Sequence, residues 1–307
     1  MQQKKTLMLE AAILYYEKKH TQQEIAKIMG LTRQTVSKLL NEAVEENIVR
    51  ISIHEPQEQC RQLESELCNQ FNLKYCVVCS VNNQDEQLRQ IMTLRAAAEQ
   101  LVPIFLQGKQ QIALSWGRTV QELIQYLPTI HTTGNVIFPL FGATDHERSY
   151  FSSNELVRGM ASKIGATAKY ALFPYLADSS EDLDLIQKLS YYKKMQELWQ
   201  NADIAIVGIG NTEVLDIFGK TFGYSNNHAH AIGDIATHFF DENGDFVTLY
   251  PHSLCASAKD LKNAKQTIAI ACGDHKAKAI VGALRTNLLD VLITDEYTAQ
   301  KVLSYIY

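Results

Sequence analysis

Lys276 follows Cys272-Gly273-Asp274-His275 and precedes an apolar stretch with helical spacing, so it stands at a helix start beside a glycine turn. A lysine placed there, with backbone N–H groups exposed by the glycine and the positive end of a helix behind it, is equipped to hold an anion such as a phosphate. Three other loops place glycines after an apolar run: Ser115-Trp116-Gly117, Gly142-Ala143-Thr144-Asp145 and Gly208-Ile209-Gly210-Asn211. Each alone reads as a turn. Four of them at strand ends read as the rim of a binding crevice. None has the spacing of a phosphate-binding P-loop or a dinucleotide fingerprint, and no cofactor is expected.

A second set of chemically able residues lies near the start. Arg33, Gln34, Thr35, Ser37, Lys38 and Asn41 fall on one side of a helical stretch, and every one can hydrogen-bond to a phosphate or a base edge. Gln34, Thr35 and Lys38 sit early enough to reach bases, while Arg33, Ser37 and the later Arg50 suit phosphates. Two other patterns carry less. His228-Ala229-His230, with His238 beyond, lacks a third ligand at a metal-binding spacing, so no metal is expected. Cys76 and Cys79 have C-x-x-C spacing inside an apolar strand-like run, where residues three apart point to opposite faces and the thiols diverge.

The elements that must position these residues can be read next. Leu7, Ala11, Leu14 and Tyr15 mark the face of a first helix. Thr21 and Glu24 form a capping box for a second, which runs through Ile25, Ala26 and Met29 to a left-handed stop at Gly30. Thr32 caps a third, whose inward stripe is Val36, Leu39, Leu40 and Ala43. Two short helices joined by a glycine turn, the second polar outside, form a helix-turn-helix that reads double-stranded DNA in its major groove. A bundle used only to dimerise would need a second apolar stripe, which residues 33–41 lack. Val49 to Ile53 alternates as a short strand, the mark of a winged variant. Pro56 ends this domain, residues 1–55.

Residues 56–307 form a larger domain. Leu63, Leu67 and Phe71 stripe a helix after the linker, a surface for pairing with a second protomer or for packing on its own body. Strands are expected at 75–81, 111–115, 135–140, 167–173, 203–207, 267–271 and 290–294. Helices are expected near 85–106, 118–126, 152–164, 181–201, 275–286 and 297–305. Apolar strands alternating with helices predict an α/β domain with a mainly parallel sheet, ligands lying outside the carboxyl ends of its strands. Of the 307 residues, 46% are hydrophobic and 21% charged, as in an ordinary water-soluble protein. No run approaches the ~18 apolar residues of a membrane span, and the amino terminus has no uninterrupted apolar leader, so the cytoplasm is the expected location. The net charge of −5 is uneven: residues 1–54 carry eight basic and six acidic side chains, leaving the acidity in the body. A mildly basic head on an acidic body suits a modular DNA-binding protein.

The chain resembles the SorC/DeoR-type sugar-binding transcriptional regulators of bacteria. The resemblance is carried by Ala11 to Tyr16, Thr21 to Ala26 and Leu31 to Leu40. In the body it is carried by Leu114-Ser115-Trp116-Gly117, Asp203 to Gly210, Gly233-Asp234-Ile235-Ala236, Gly273 to Lys276, Ala279-Ile280, Gly282 to Arg285 and Leu292 to Glu296. It implies an effector domain resembling phosphosugar isomerases, a homo-dimer or homo-tetramer, and a sugar or sugar-phosphate effector that alters operator binding. It maps the effector site onto the loops around Trp116, Gly142, Thr144, Asn154, Asp234 and Lys276, with Gly117, Ala143, Gly208 and Gly273 beside them. Some members that take deoxyribose 5-phosphate carry a lysine before the glycine loop and bond it to the sugar. Phe141 stands there in this chain and cannot form a Schiff base. The alternative, a sugar-phosphate isomerase with a DNA-binding module, would need an acid–base pair from Asp145, Asp234 and Lys276. An aspartate in a sugar site more often binds hydroxyls, and the DNA-reading head argues for a regulator.

Overall fold

The computed structural model describes residues 2–49, 58–81, 85–144 and 152–306. The chain divides into two compact units, Met1–Glu55 and Pro56–Tyr307.

In the first unit, α1 (Gln2–Ala12) continues into a π-helical turn (Ile13–Glu17), followed by α2 (Gln22–Met29) and α3 (Arg33–Glu45). Met8, Ala11, Ile25, Val36, Leu39, Leu40 and Ala43 close its core. The π-turn holds an extra residue, which rotates the face behind it. Tyr16 therefore packs on the core while Tyr15, expected there from 3.6-residue spacing, is exposed. The expected wing strand and Arg50 fall largely on residues 50–57, outside the described residues.

The second unit opens with α4 (Glu58–Phe71), β1 (Tyr75–Cys79), α5 (Glu86–Gln107), β2 (Gln111–Leu114), α6 (Arg118–Tyr126) and β3 (Val136–Pro139). It continues with α7 (Ser153–Ile164), β4 (Thr167–Ala168), α8 (Ser180–Lys188), α9 (Ser190–Gln200), β5 (Ile204–Gly208) and α10 (Thr212–Phe222). A hairpin, β6 (Gly233–Ile235) and β7 (His238–Phe240), precedes α11 (Ala258–Asn263), β8 (Gln266–Ile270), α12 (Ala277–Arg285), β9 (Val291–Asp295) and α13 (Glu296–Leu303). Seven strands form one sheet in the order β1-β9-β8-β5-β2-β3-β4, every neighbouring pair parallel. The central strands β5, β8 and β9 are apolar and almost wholly buried, as a sheet covered on both faces requires.

Three expectations are corrected, and one choice left open, the role of the α4 stripe, is decided for packing on its own body. The strand placed at 167–173 is paired only at Thr167 and Ala168, because β3 ends at Pro139, which has no N–H to extend the ladder. The helix placed at 181–201 breaks at an extended Leu189 (φ −66°, ψ 142°). α8 only half-buries Leu183 and Ile186 against the core, whereas α9 turns Tyr192, Met195 and Trp199 fully inward. The helix placed at 275–286 begins as a 3₁₀ turn, Asp274–Lys276, before α12. Leu67 and Phe71 of α4 are buried in the core of their own unit with Leu63 against them, so that stripe is not a free pairing surface.

Candidate effector crevice and DNA-reading face

β2 and β5 are neighbours, but the chain leaves them in opposite directions: after β2 it builds outward to β3 and β4, after β5 outward to β8 and β9. The two loops part at the carboxyl ends of the strands and leave a crevice, the place where parallel α/β sheets bind ligands. Ser115, Trp116, Gly117, Arg118 and Thr119 line one wall, Gly208 to Asn211 with Glu213, Val214 and Ile217 the other, and Asp234 and Lys276 complete it.

Two helices begin at this crevice, and they are furnished in opposite ways. α10 is closed by its own N-cap, the Asn211 side chain accepting from the Glu213 N–H at 3.2 Å. α6 starts at Gly117 (φ +109°) with no side-chain cap, and the amides of Arg118 and Thr119 have no acceptor among the described residues. That end of α6 presents open N–H groups and the positive end of a helix.

The Lys276 backbone N–H donates to Gly273 O at 3.0 Å, while its ammonium lines the crevice without a hydrogen bond or a close ion pair to any described residue. Burial pushes its pKa down, and the charge of Arg118 pushes the same way. The turn beneath it is tightly anchored. Buried Arg89 of α5 bonds Asp274 at 2.8 Å and faces Asp295 at 3.5 Å, the Gly273 N–H donates to Thr298 Oγ1 at 2.8 Å, and His275 Nδ1 meets Glu86 Oε1 at 2.7 Å. Asp234 is wholly buried, and burial raises its carboxyl to about 6 against the pull of the Thr237 N–H and Lys276. Its Oδ2 accepts from Thr237 N–H at 3.0 Å, within the β6–β7 turn where Ala236 (φ +48°) and Thr237 (φ +71°) both take left-handed conformations. Its Oδ1 lies so close to Gly210 that a Cβ there would approach it to 2.0 Å.

Of the expected effector residues, Trp116, Gly117, Gly208, Asp234 and Lys276 meet in this crevice. The others lie elsewhere. Gly273 underpins the Lys276 turn without lining the crevice. The amides of Gly142 and Ala143, expected to cradle an anion, donate to Leu254 O at 2.9 Å and Phe173 O at 2.8 Å. Gly142 is needed because Pro174 O would stand 2.2 Å from any Cβ. Thr144 is half-buried at the edge of segment 145–151, and Asp145 lies outside the described residues. The Asn154 amide is committed to Ala171, donating to its carbonyl and accepting its N–H at 3.0 Å each. Phe141 is fully buried against the Trp116 ring. Arg118, Thr119 and Glu213 were missed, whereas Asn211 belongs to a loop already expected at the rim. Asn-Thr-Glu after a strand is a readable capping signal, whereas an uncapped glycine start leaves almost none.

On the first unit the cap residues act as expected. Thr21 and Glu24 form a reciprocal capping box, Gly30 (φ +65°) ends α2, and the Thr32 hydroxyl accepts the Thr35 N–H. Arg33, Gln34, Thr35, Lys38 and Asn41 are exposed and Ser37 is half-buried, while the Thr35 hydroxyl also bonds that of Thr32 at 2.8 Å. Lys19, His20, Gln22 and Gln23 join Arg33 around a shallow depression at the start of α2. Sequence spacing did not single them out, because a loop lysine and two glutamines look like any solvated turn. The first helix of such a motif crosses the DNA backbone there. The histidines are engaged singly: His238 Nε2 meets Ala256 O at 2.9 Å, and His228 Nε2 lies 3.7 Å from Asp216. Among the described residues no three His, Cys, Asp or Glu side chains gather as a metal site.

The "Sugar-bind" family of sugar-binding domains matches residues 55–304, and the sigma-70 region 4 family, a helix-turn-helix, matches residues 13–46. The sorbitol operon regulator of Klebsiella pneumoniae is 32% identical over 97% of both chains, and the deoxyribonucleoside regulator of Bacillus subtilis is 27% identical over 98% of both. The crystal structure of the full-length Klebsiella regulator, SorC, superposes with a TM-score of 0.79 at 31% identity, covering 97% of this chain and 98% of that one. These relatives are regulators rather than isomerases. With a helix-turn-helix head and a sugar-binding body in the same order over nearly the whole chain, the protein belongs to the SorC/DeoR-type family of sugar-binding transcriptional regulators.

Proposed function

We propose that this regulator's effector is a phosphorylated sugar or sugar alcohol, bound with its phosphate between Lys276 and the open start of α6 and its hydroxyls toward Asp234. The observation that carries this reading is the pairing of a lysine whose ammonium has no hydrogen bond with an uncapped helix start in one crevice. Both are costly to leave unsatisfied, and one anion satisfies both. Lys276 and Asp234 keep the roles expected from the sequence. The anion moves from the Gly142-Ala143-Thr144 loop to Gly117-Arg118-Thr119, because the amides of Gly142 and Ala143 are already bonded. Trp116 offers an aromatic edge to the sugar carbons.

The head binds operator DNA through Gln34, Thr35 and Lys38 at bases, with Arg33, Ser37, Asn41 and Arg50 on the backbone. It does so in the cytoplasm as a homo-dimer or homo-tetramer whose two heads meet two half-sites. The names of the relatives favour an operon for using a sugar, sugar alcohol or nucleoside sugar.

Calorimetric titration of Lys276→Ala with sorbitol 6-phosphate and with sorbitol tests the effector reading. Loss of one charge-assisted contact should weaken the phosphate by roughly ten- to a hundredfold and leave sorbitol unchanged. Preference of the parent protein for unphosphorylated sugars would overturn the phosphate while leaving the regulator intact.

A further inference from the structure

Arg118 and Glu213 stand opposite each other at the crevice, one on the first turn of α6 and the other on the first turn of α10. Arg118 Nη2 and Glu213 Oε2 are 3.5 Å apart, and both side chains are more than half exposed. Such a pair is weak: its separation exceeds the 2.7–2.9 Å of a good charge-assisted hydrogen bond, it has one contact instead of two, and water screens it. Both side chains nevertheless line the crevice to which the anion is assigned.

Resting on the effector reading above, we infer that Arg118 reads the charge of the effector, and that Glu213 is the counter-ion it exchanges for the effector's phosphate. The crevice is lined by two basic side chains, Lys276 and Arg118, and two acidic ones, Asp234 and Glu213. Arg118 is near enough to Lys276 for its charge to reinforce burial in weakening that lysine's hold on its proton, so the two cations repel until an anion enters between them. A phosphate offers the guanidinium a two-point contact that a single distant carboxylate oxygen does not. Arg118 then joins the open amides of its own helix and Lys276 around one group.

The exchange also orients the effector. Glu213, on a helix whose start is already capped by Asn211, repels the phosphate from α10 and leaves that wall to the hydroxyls. An unphosphorylated sugar gains nothing from Arg118, so this residue separates the two ligand classes.

The test uses the full-length protein, titrated with inorganic phosphate, sorbitol 6-phosphate and sorbitol, in the parent and in Arg118→Gln, Glu213→Gln and Lys276→Ala. Both mouth residues are exposed, and unchanged melting temperatures will verify that the variants fold. Arg118→Gln should weaken both phosphates by about tenfold or more and leave sorbitol unchanged. Glu213→Gln should tighten both phosphates by about two- to fivefold, because their competitor is gone. If Lys276→Ala loses the phosphates while Arg118→Gln keeps them, or if Glu213→Gln weakens them, the role given to Arg118 and Glu213 falls and the effector reading stands. If the parent protein binds neither phosphate, both fall.

Discussion

Asp234 couples the crevice to protonation. A carboxyl raised from its ordinary 3.8 to about 6 by burial binds its proton more tightly in the folded protein than in the unfolded chain. Its contribution to stability is therefore complete below about pH 4 and is lost as the pH rises through about 6. The loss amounts to on the order of 3 kcal/mol at neutral pH. Melting temperatures of the parent and of Asp234→Asn, followed from pH 4 to 8, should diverge in that window, with the asparagine variant relatively more stable above pH 6. Parallel curves would mean that the carboxyl is not desolvated. Gly210→Ala tests the same carboxyl sterically. Its Cβ would come within 2.0 Å of Oδ1 and 3.2 Å of Val214 Cβ, so Asp234 must move. We expect at least about tenfold weaker binding of any hydroxylated effector, read by calorimetry, with operator binding in the absence of effector unchanged. Gly142→Ala makes the contrasting case. Its clash is with the Pro174 backbone, so about 1–3 kcal/mol of stability should be lost in urea unfolding while effector affinity holds.

Elements were legible where their signals are local. The caps of α2 and α3, the inward stripe of α3 and the apolar runs of the central strands each lie within a few residues, and all appear where the spacing places them. What sequence could not show depends on partners far along the chain. The Gly142 loop reads as an anion cradle until Leu254 and Phe173 are seen to accept its amides. Asn154 reads as a sugar ligand until Ala171 is seen to occupy it. The β6–β7 hairpin was invisible because its turn uses alanine and threonine at positive φ instead of the Asn-Gly such turns favour. For α3, replacing Gln34 with Ala should cost about 1–3 kcal/mol at a specific operator and relax base selectivity. Replacing Arg33, which also borders the depression at the start of α2, should weaken binding to every sequence and flatten its salt dependence. Gel-shift titrations over a salt series separate the two. Parent-like binding by both variants would move DNA reading to another face.

At the scale of the whole molecule, the proposed binding of two half-sites needs two chains, and on that proposal sedimentation of the full-length protein at micromolar concentration should show a dimer or larger species. A stable monomer would contradict this. The α4 stripe is already committed to its own unit and does not supply the proposed pairing surface. The order of the sheet has a further consequence, for synthesis. β1 finds its partner in β9, so residues 75–79 wait for residues 291–295, and β9 alone joins β1 to β8 and β5 in the interior of the sheet. The core of the head, by contrast, draws only on residues up to Val49. A ribosome adding roughly 5–20 residues per second needs on the order of 12–50 seconds to make the intervening 240 or so. For that interval each nascent chain carries every core residue of its reading head, attached to a sensor whose sheet still lacks β9.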